Sequence, residues 1–265
     1  MRKAVVTGST KGIGFALARE LLRRGHSVVV TGRAAASVEE AVEKLRPEAA
    51  AGSAVHGHAL DVSDPEQVEG LWTAAVAALG GVDLWINNAG VAHTTRPIVE
   101  TSPEDVRTMV TTNMLGTIYG SQVAVRGMQA AGGGQLFNIL GGGSDGRIRP
   151  GMGVYSATKR GLDSFTRALV KETAGSSVRV GQVSPGILIT EGWLREAAAA
   201  PEQVAKQRKL LNILVDHVDE VAPYLVEKML GSSRHGDAIA WLTNARMARK
   251  FLLPRKEDAL ARYGL

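Results

Sequence analysis

The stretch Gly8-Ser9-Thr10-Lys11-Gly12-Ile13-Gly14 constrains the fold more than any other part of the chain. Before it, residues 3–7 (Lys-Ala-Val-Val-Thr) are mostly apolar with β-branched side chains and read as a strand buried on both faces. After it, Phe15, Leu17, Ala18, Leu21 and Leu22 recur at helical spacing as far as Gly25. A strand, a glycine turn and a helix in direct succession open a parallel α/β sheet. Glycines let a backbone come close to a phosphate, and a helix N-terminus offers free N–H groups and partial positive charge. The spacing is Gly-x-x-x-Gly-x-Gly, not the commoner Gly-x-Gly-x-x-Gly. A plain tight turn would use glycine too. Its place directly after the first strand is what favours a nucleotide site made of residues 8–14.

The alternation continues. A second strand, 26–31, ends in Gly32-Arg33. A chain that binds NAD usually places an acidic residue near this point for the ribose 2′-hydroxyl. Here Arg33 stands there, and Lys11 lies in the turn, so NADP(H) with its 2′-phosphate is favoured over NAD(H). A solvated surface role for Arg33 is the alternative. A helix over 37–45 and a strand over 54–60 lead to Asp61-Val62. Asp61 suits an adenine amino group or the start of the next helix, 65–79, which Ser63 or Asp64 would cap ahead of Pro65. His56 and His58 alternate along the strand with no further ligands nearby, so they read as solvated and no metal site is expected.

A fourth strand, 82–86, runs into Asn87-Asn88-Ala89-Gly90, small and amide residues suited to a ligand lying against the backbone. A helix over 103–130 contains Asn113, which is locally unfavourable there. Three roles stay open for it: a surface position, a water-holding position, or a disrupted turn at the site. A fifth strand, 135–140, ends in Gly141-Gly142-Gly143-Ser144-Asp145-Gly146. Tyr155 and Lys159 follow, one turn apart on one face of a helix reaching about residue 173. A phenol titrates near 10 when unperturbed, and an ammonium beside it should lower that value, which suits proton exchange with a carbonyl or alcohol oxygen. A sixth strand, 178–183, is closed by Ser184-Pro185-Gly186, with Thr190 just beyond. Residues 191–233 read as helical, either a lid over the crevice or a segment that only packs on the core. A seventh, edge strand is expected at 237–242. Together these elements predict one α/β domain over 1–265: a doubly wound, mostly parallel Rossmann sheet of about seven strands with helices on both faces.

Composition removes several classes. No run of apolar residues is long enough to span a bilayer, and the short patch after Met1 reads as the first strand, not as a signal peptide. Without cysteine there is no disulfide, thiolate nucleophile or cysteine metal site, and a cytoplasmic location is the default. Of the net charge of +5, residues 244–265 carry +4: six cations (Arg246, Arg249, Lys250, Arg255, Lys256, Arg262) against Glu257 and Asp258. The body is nearly neutral, so nucleic acid is not an expected partner. The basic tail reads as a subunit contact, a frayed end or a membrane-surface helix.

Thr7-Gly8-x-x-x-Gly12-x-Gly14, Asn87-Asn88-Ala89-Gly90, Asn113, Tyr155-x-x-x-Lys159 and Pro185-Gly186 occur in this order over about residues 3–190. Together they resemble the short-chain dehydrogenases/reductases. The resemblance implies a Rossmann fold, a nicotinamide cofactor and catalysis by Asn113, Tyr155, Lys159 and a serine. The lysine would also bind the nicotinamide ribose, and the asparagine would hold a water in a proton relay. The expected cofactor contacts are Gly8, Ser9, Thr10, Lys11, Gly12, Ile13, Gly14, Arg33, Asp61, Val62, Asn88, Ala89, Gly90, Tyr155, Lys159, Pro185, Gly186 and Thr190. Members of the family are usually dimers or tetramers, so a homo-oligomer is expected.

One departure stands out. The family usually carries Asn-x-Ser-Ser, with the serine about thirteen residues before the tyrosine; here the run is Asn138-Ile139-Leu140-Gly141, and position 142 is glycine. Either the loop buckles to bring Ser144 into place, the preferred reading, or the serine's role is reduced. The glycine loop, Tyr155-x-x-Thr158-Lys159-Arg160 and Asn212-Ile213-Leu214 are similar to the chlorophyll b reductase branch, which implies NADPH-dependent reduction of a formyl group on a large apolar ring. The resulting expectation is a carbonyl reductase with Tyr155 as proton donor and Ser144 as hydrogen-bond donor. Trp193, Leu194, Leu210, Leu211, Ile213 and Leu214 in the lid hint at a bulky apolar substrate. A non-catalytic sensor of NADP(H) is the alternative, against which the intact Tyr155–Lys159 pair argues.

Overall fold

The computed structural model describes residues 1–253 and 258–263. Its strands are β1 (Lys3–Val6), β2 (Ser27–Gly32), β3 (Val55–Ala59), β4 (Leu84–Asn87), β5 (Gly134–Ile139), β6 (Val178–Ser184), β7 (Ile187–Ile189), β8 (Val215–His217) and β9 (Asp237–Ala240). Seven of them form one sheet in the order β3-β2-β1-β4-β5-β6-β9, every neighbouring pair parallel. The helices are α1 (Gly12–Arg23), α2 (Ala35–Leu45), α3 (Pro65–Leu79), α4 (Pro103–Met109), α5 (Gly116–Ala130), α6 (Gly153–Glu172), α7 (Glu191–Ala199), α8 (Pro201–Leu214), α9 (Val218–Gly231) and α10 (Asn244–Leu252).

The two-residue period of a strand divides the core into two layers. Ala4, Val6, Val28, Val30, Leu84 and Ile86 face one way and meet Leu17 and Leu21 of α1 and Leu225 and Met229 of α9. Val5, Val29, Trp85 and Leu136 face the other way and meet Leu71 of α3 and Met128 of α5. Covering both faces is what allows apolar runs such as Val28-Val29-Val30 to exist in a parallel sheet. Strand order reverses at the β1–β4 junction, and in open parallel sheets ligands bind outside the carboxyl ends of the strands at such a switch point. Local signals set the element ends. Asp64 caps α3 by accepting from the N–H groups of Glu66 and Gln67, Pro65 opens that helix, and Gly80 closes it at φ +72°.

The doubly wound parallel sheet is the one expected, and its seven strands lie within a few residues of their predicted bounds. Two segments differ. The helix over 103–130 is interrupted by a π-helical stretch, Val110–Leu115, between α4 and α5. The segment 191–233 is not uniformly helical: β8 falls inside it and pairs in parallel with β7. Three-residue strands are too short to show an alternating pattern in sequence. Beyond β8, α9 is a core helix, with Val221, Ala222, Leu225, Val226 and Met229 buried in the α1 layer. Only α7 and α8 are therefore left as lid candidates.

The described end of the tail is docked, not frayed. Leu260 is fully buried with Ile189, Val215 and Ala259, against Trp193, Leu194 and Leu211. Arg208 pairs with Asp258, and the Ala259 N–H donates to Asn212 Oδ1 at 2.6 Å. Trp193, Leu194 and Leu211, thought to hint at an apolar substrate, thus fill a small core of their own. The tail charges Arg255, Lys256 and Glu257 lie outside the described residues. Among the described residues no helix is long and apolar enough to cross a membrane.

Candidate active site

The glycine turn is built as a cradle. Gly8 lies at φ +62°, and a Cβ there would stand 2.6 Å from Ala89 Cα, so only glycine lets the turn close against the β4 loop. Asn88 clamps the two together, its Nδ2 donating to the carbonyls of Thr7 at 2.8 Å and Gly8 at 2.9 Å. Thr7 Oγ1 accepts from the N–H groups of Asn88 and Ala89. Ser9 is fully buried, donates to the Val6 carbonyl and accepts from the Thr31 N–H, which fixes the turn to β2. Both bonds hold the turn in place. Ile13 is half-buried against the core, and Thr10 packs its methyl over Gly32.

Gly12, at φ +59°, is open: the nearest atoms to a Cβ there would be those of Thr190, at 3.5 Å, and Glu191. Helix α1 begins at Gly12 with no side-chain cap and no acid in its first turn. Its free N–H groups and dipole suit a pyrophosphate. Lys11 and Arg33 are both exposed and form no ion pair among the described residues. The residues present therefore fit a dinucleotide with an additional phosphate. Asp61 turns partly inward, its Oδ1 accepting from the N–H and Oγ of Ser63, so it does help start α3; its second oxygen has no partner among the described residues. Val62 is buried against Gly116 and is a packing side chain. Gly186, at φ +85°, turns the chain after Pro185 beneath Trp241 and Leu242, and Thr190 caps α7 through Oγ1.

Tyr155 and Lys159 share one face of α6, as their spacing requires. Lys159 Nζ donates to the Ile139 carbonyl at 3.1 Å and lies 5.8 Å from the centre of the Tyr155 ring. Gly90 brings the β4 loop beside both Lys159 and Asn113. The π-helical stretch carries Asn113 fully inside. There Oδ1 accepts from the Val91 N–H at 2.8 Å, and Nδ2 donates to the Val91 carbonyl at 2.9 Å and to Thr158 Oγ1 at 3.1 Å. Of the three readings of Asn113, the surface position is excluded, and the residue does lie in a disrupted turn. Its amide ties the β4 loop to α6.

The phenol does not behave as the pair alone predicts. Burial pushes the Tyr155 phenol up to about 12 and the Lys159 ammonium down to about 8. Loss of water stabilisation is the cause of both shifts. At neutral pH the phenol carries its proton and the amine is mostly charged, the state needed to donate a proton.

Ser144 is not brought to the phenol. A Cβ at Gly141 would collide with the Tyr155 hydroxyl oxygen, whereas one at Gly143 would collide with Ser156. The Ser144 carbonyl accepts from Arg160 Nη1 at 2.9 Å. The loop thus crosses from the Tyr155/Lys159 face of α6 to the neighbouring Ser156/Arg160 face. Ser144 makes no hydrogen bond to Tyr155 among the described residues. Gly141, the fourth residue of the Asn138-Ile139-Leu140-Gly141 run, is the loop residue that meets the phenol.

The family model for short chain dehydrogenase matches residues 2–200. The chain belongs to this family. Among its relatives, the chloroplastic chlorophyll(ide) b reductase NOL of Arabidopsis thaliana is 40% identical, over 84% of this chain and 63% of its own length. The probable chlorophyll(ide) b reductase NYC1 of the same plant is 37% identical, over 93% of this chain and 51% of its own. This short-chain dehydrogenase thus spans about half to two-thirds of the length of those relatives. Among solved structures, an actinorhodin polyketide ketoreductase variant with NADPH superposes with a TM-score of 0.80 at 27% identity, covering 90% of this chain and 94% of that one. The L-sorbose reductase of Gluconobacter frateurii complexed with NADPH and L-sorbose gives 0.77 at 25% identity, with the same coverage.

Proposed function

We propose that this short-chain dehydrogenase is an NADP(H)-dependent reductase that converts an aldehyde or ketone to an alcohol, with Tyr155 as the proton donor. The observation that carries this reading is the phenol of Tyr155, set one helical turn from Lys159 and against the bare backbone of Gly141 at the carboxyl end of β5. The turn around Gly12 and the first turn of α1 would hold the pyrophosphate, Lys11 and Arg33 the 2′-phosphate, and Lys159 the nicotinamide ribose. Reduced nicotinamide supplies a hydride to the carbonyl carbon when bound. As charge develops on the carbonyl oxygen, the Tyr155 O–H bond breaks and its proton passes to that oxygen. The Lys159 ammonium stabilises the phenolate left behind. Asn113 keeps the β4 loop and α6 in register and links the site towards solvent.

The hydrogen bond expected from Ser144 is assigned to the loop backbone instead. The N–H groups of Gly141, Gly142 and Gly143 donate no hydrogen bond among the described residues, and Gly141 is the residue against the phenol. A bulky apolar substrate is supported by Ile98, Val99 and Ile148, which stand exposed on the loops before α4 and α6, and by the chlorophyll(ide) b reductase relatives. We also place the protein in a reducing compartment, as its lack of cysteine favours, and as a homodimer or homotetramer, the usual state of its family.

NADPH oxidation with a panel of aldehydes and ketones tests the reading directly. The Tyr155→Phe variant should lose turnover by at least about 100-fold while binding NADPH within a fewfold of the parent; full retained activity would refute the assignment. For Arg33→Asp, kcat/KM should shift from NADPH towards NADH by about tenfold or more, and an unchanged cofactor ratio would remove Arg33 from the phosphate site.

A further inference from the structure

Arg149 lies in the loop that carries the chain from Gly141 to α6. It is half-buried, yet its guanidinium has no ion pair and no hydrogen bond among the described residues. That is unusual, because a partly desolvated guanidinium normally finds an acceptor. The neighbouring cations of the loop region are accounted for. Arg147 pairs with Asp145 at 3.4 Å, and Arg160 is held by the Ser144 carbonyl and by Asp163. Arg96, on the facing loop, is exposed.

The position of Arg149 is specific. Its Nη1 lies 3.4 Å from where a Cβ at Gly142 would be, and the adjacent Gly141 meets the Tyr155 hydroxyl. Met152 Cε comes within 2.9 Å of the same Gly142 position, and Ile98 packs over Gly153 at the start of α6. Exposed Ile148 stands next to Arg149 in sequence. The mouth of the site therefore combines apolar side chains with a half-buried cation that is unpaired among the described residues, close to the point where a carbonyl would be protonated.

We propose that Arg149 is a specificity-determining residue that binds an anionic group, a carboxylate or a phosphate ester, on an otherwise apolar carbonyl substrate. The proposal rests on the reductase reading for the place of the reacting carbonyl. A planar guanidinium receives either anion through paired N–H donors, and glycine at 142 leaves room for it.

The test uses the full chain with 4-formylbenzoate, its methyl ester and 4-formylphenyl phosphate. Binding is measured by calorimetry in the presence of NADP+, and turnover by NADPH oxidation. The parent should bind a charged aldehyde about 10- to 100-fold more tightly than the ester, the span expected of a charge-assisted hydrogen bond. Arg149→Met should abolish that preference through Kd and KM, with kcat on the ester kept. Arg149→Lys should restore part of it, and the nearby control Arg147→Met should leave it intact. Which of carboxylate and phosphate is preferred identifies the anion. Equal binding of charged and neutral aldehydes by the parent, or a preference that survives in Arg149→Met, would overturn the assignment. Anion binding that depends on Arg149 without reduction of any aldehyde would sustain this inference and sink the reductase reading instead.

Discussion

A methyl group at position 141 has nowhere to go while the Tyr155 hydroxyl stays where it is. Ser144, three residues on, lies where the loop has crossed to a different face of α6, its carbonyl bonded to Arg160. These two positions therefore carry opposite predictions. Ser144→Ala should leave kcat within about threefold, whereas loss of a true oxyanion donor costs about 100-fold or more. Gly141→Val should displace the phenol and lower kcat by about 100-fold, since misplacement of a catalytic group by an ångström has effects of that order. Steady-state kinetics on the two variants separates the assignments: a large loss in Ser144→Ala would return that hydroxyl to the site.

At the level of elements, the two departures from a regular pattern are the ones that shape the site. The π-helical stretch between α4 and α5 inserts an extra residue into the turn, which rotates Asn113 inward towards Val91 and Thr158. The small β7–β8 sheet gives α7 and α8 a floor, and the tail closes over it through Leu260. Leu260→Asp would bury an unpaired carboxylate in that floor. The expected result is release of the tail: limited proteolysis should cut within residues 258–263 far sooner than in the parent, while the seven-stranded sheet stays resistant. Unchanged protection would show that the tail is held by other contacts.

For the molecule as a whole, the buried Lys159 is a stability cost. Burial lowers its amine from 10.5 to about 8, so native and unfolded chains are both protonated below about pH 8 and the penalty is fully present there. Between about 8 and 10.5 the native amine is already neutral while the unfolded one still holds its proton, and stability from this group rises with pH. Lys159→Met should therefore be inactive yet more stable than the parent at pH 7, by up to a few kcal/mol on the order given by its shift, with the advantage shrinking by pH 9.5. Denaturant unfolding at the two pH values measures this. A variant less stable than the parent at pH 7 would mean that the bond from Lys159 to Ile139 outweighs the burial cost.

The chain itself determined the sheet, because apolar strands of four to seven residues alternate with amphipathic helices and leave one architecture that buries both faces. It also determined the glycine cradle and the shared face of Tyr155 and Lys159, since left-handed turns and one-turn helical spacing are local properties. Tertiary structure decided the rest. Which loop residue meets the phenol depends on how a flexible glycine run crosses α6, and whether the ammonium or burial governs the phenol depends on how far packing removes the pair from water. That Trp193, Leu194 and Leu211 line a small core instead of a ligand, and that α9 belongs to the body, follows from packing between segments far apart in sequence, which no local pattern encodes.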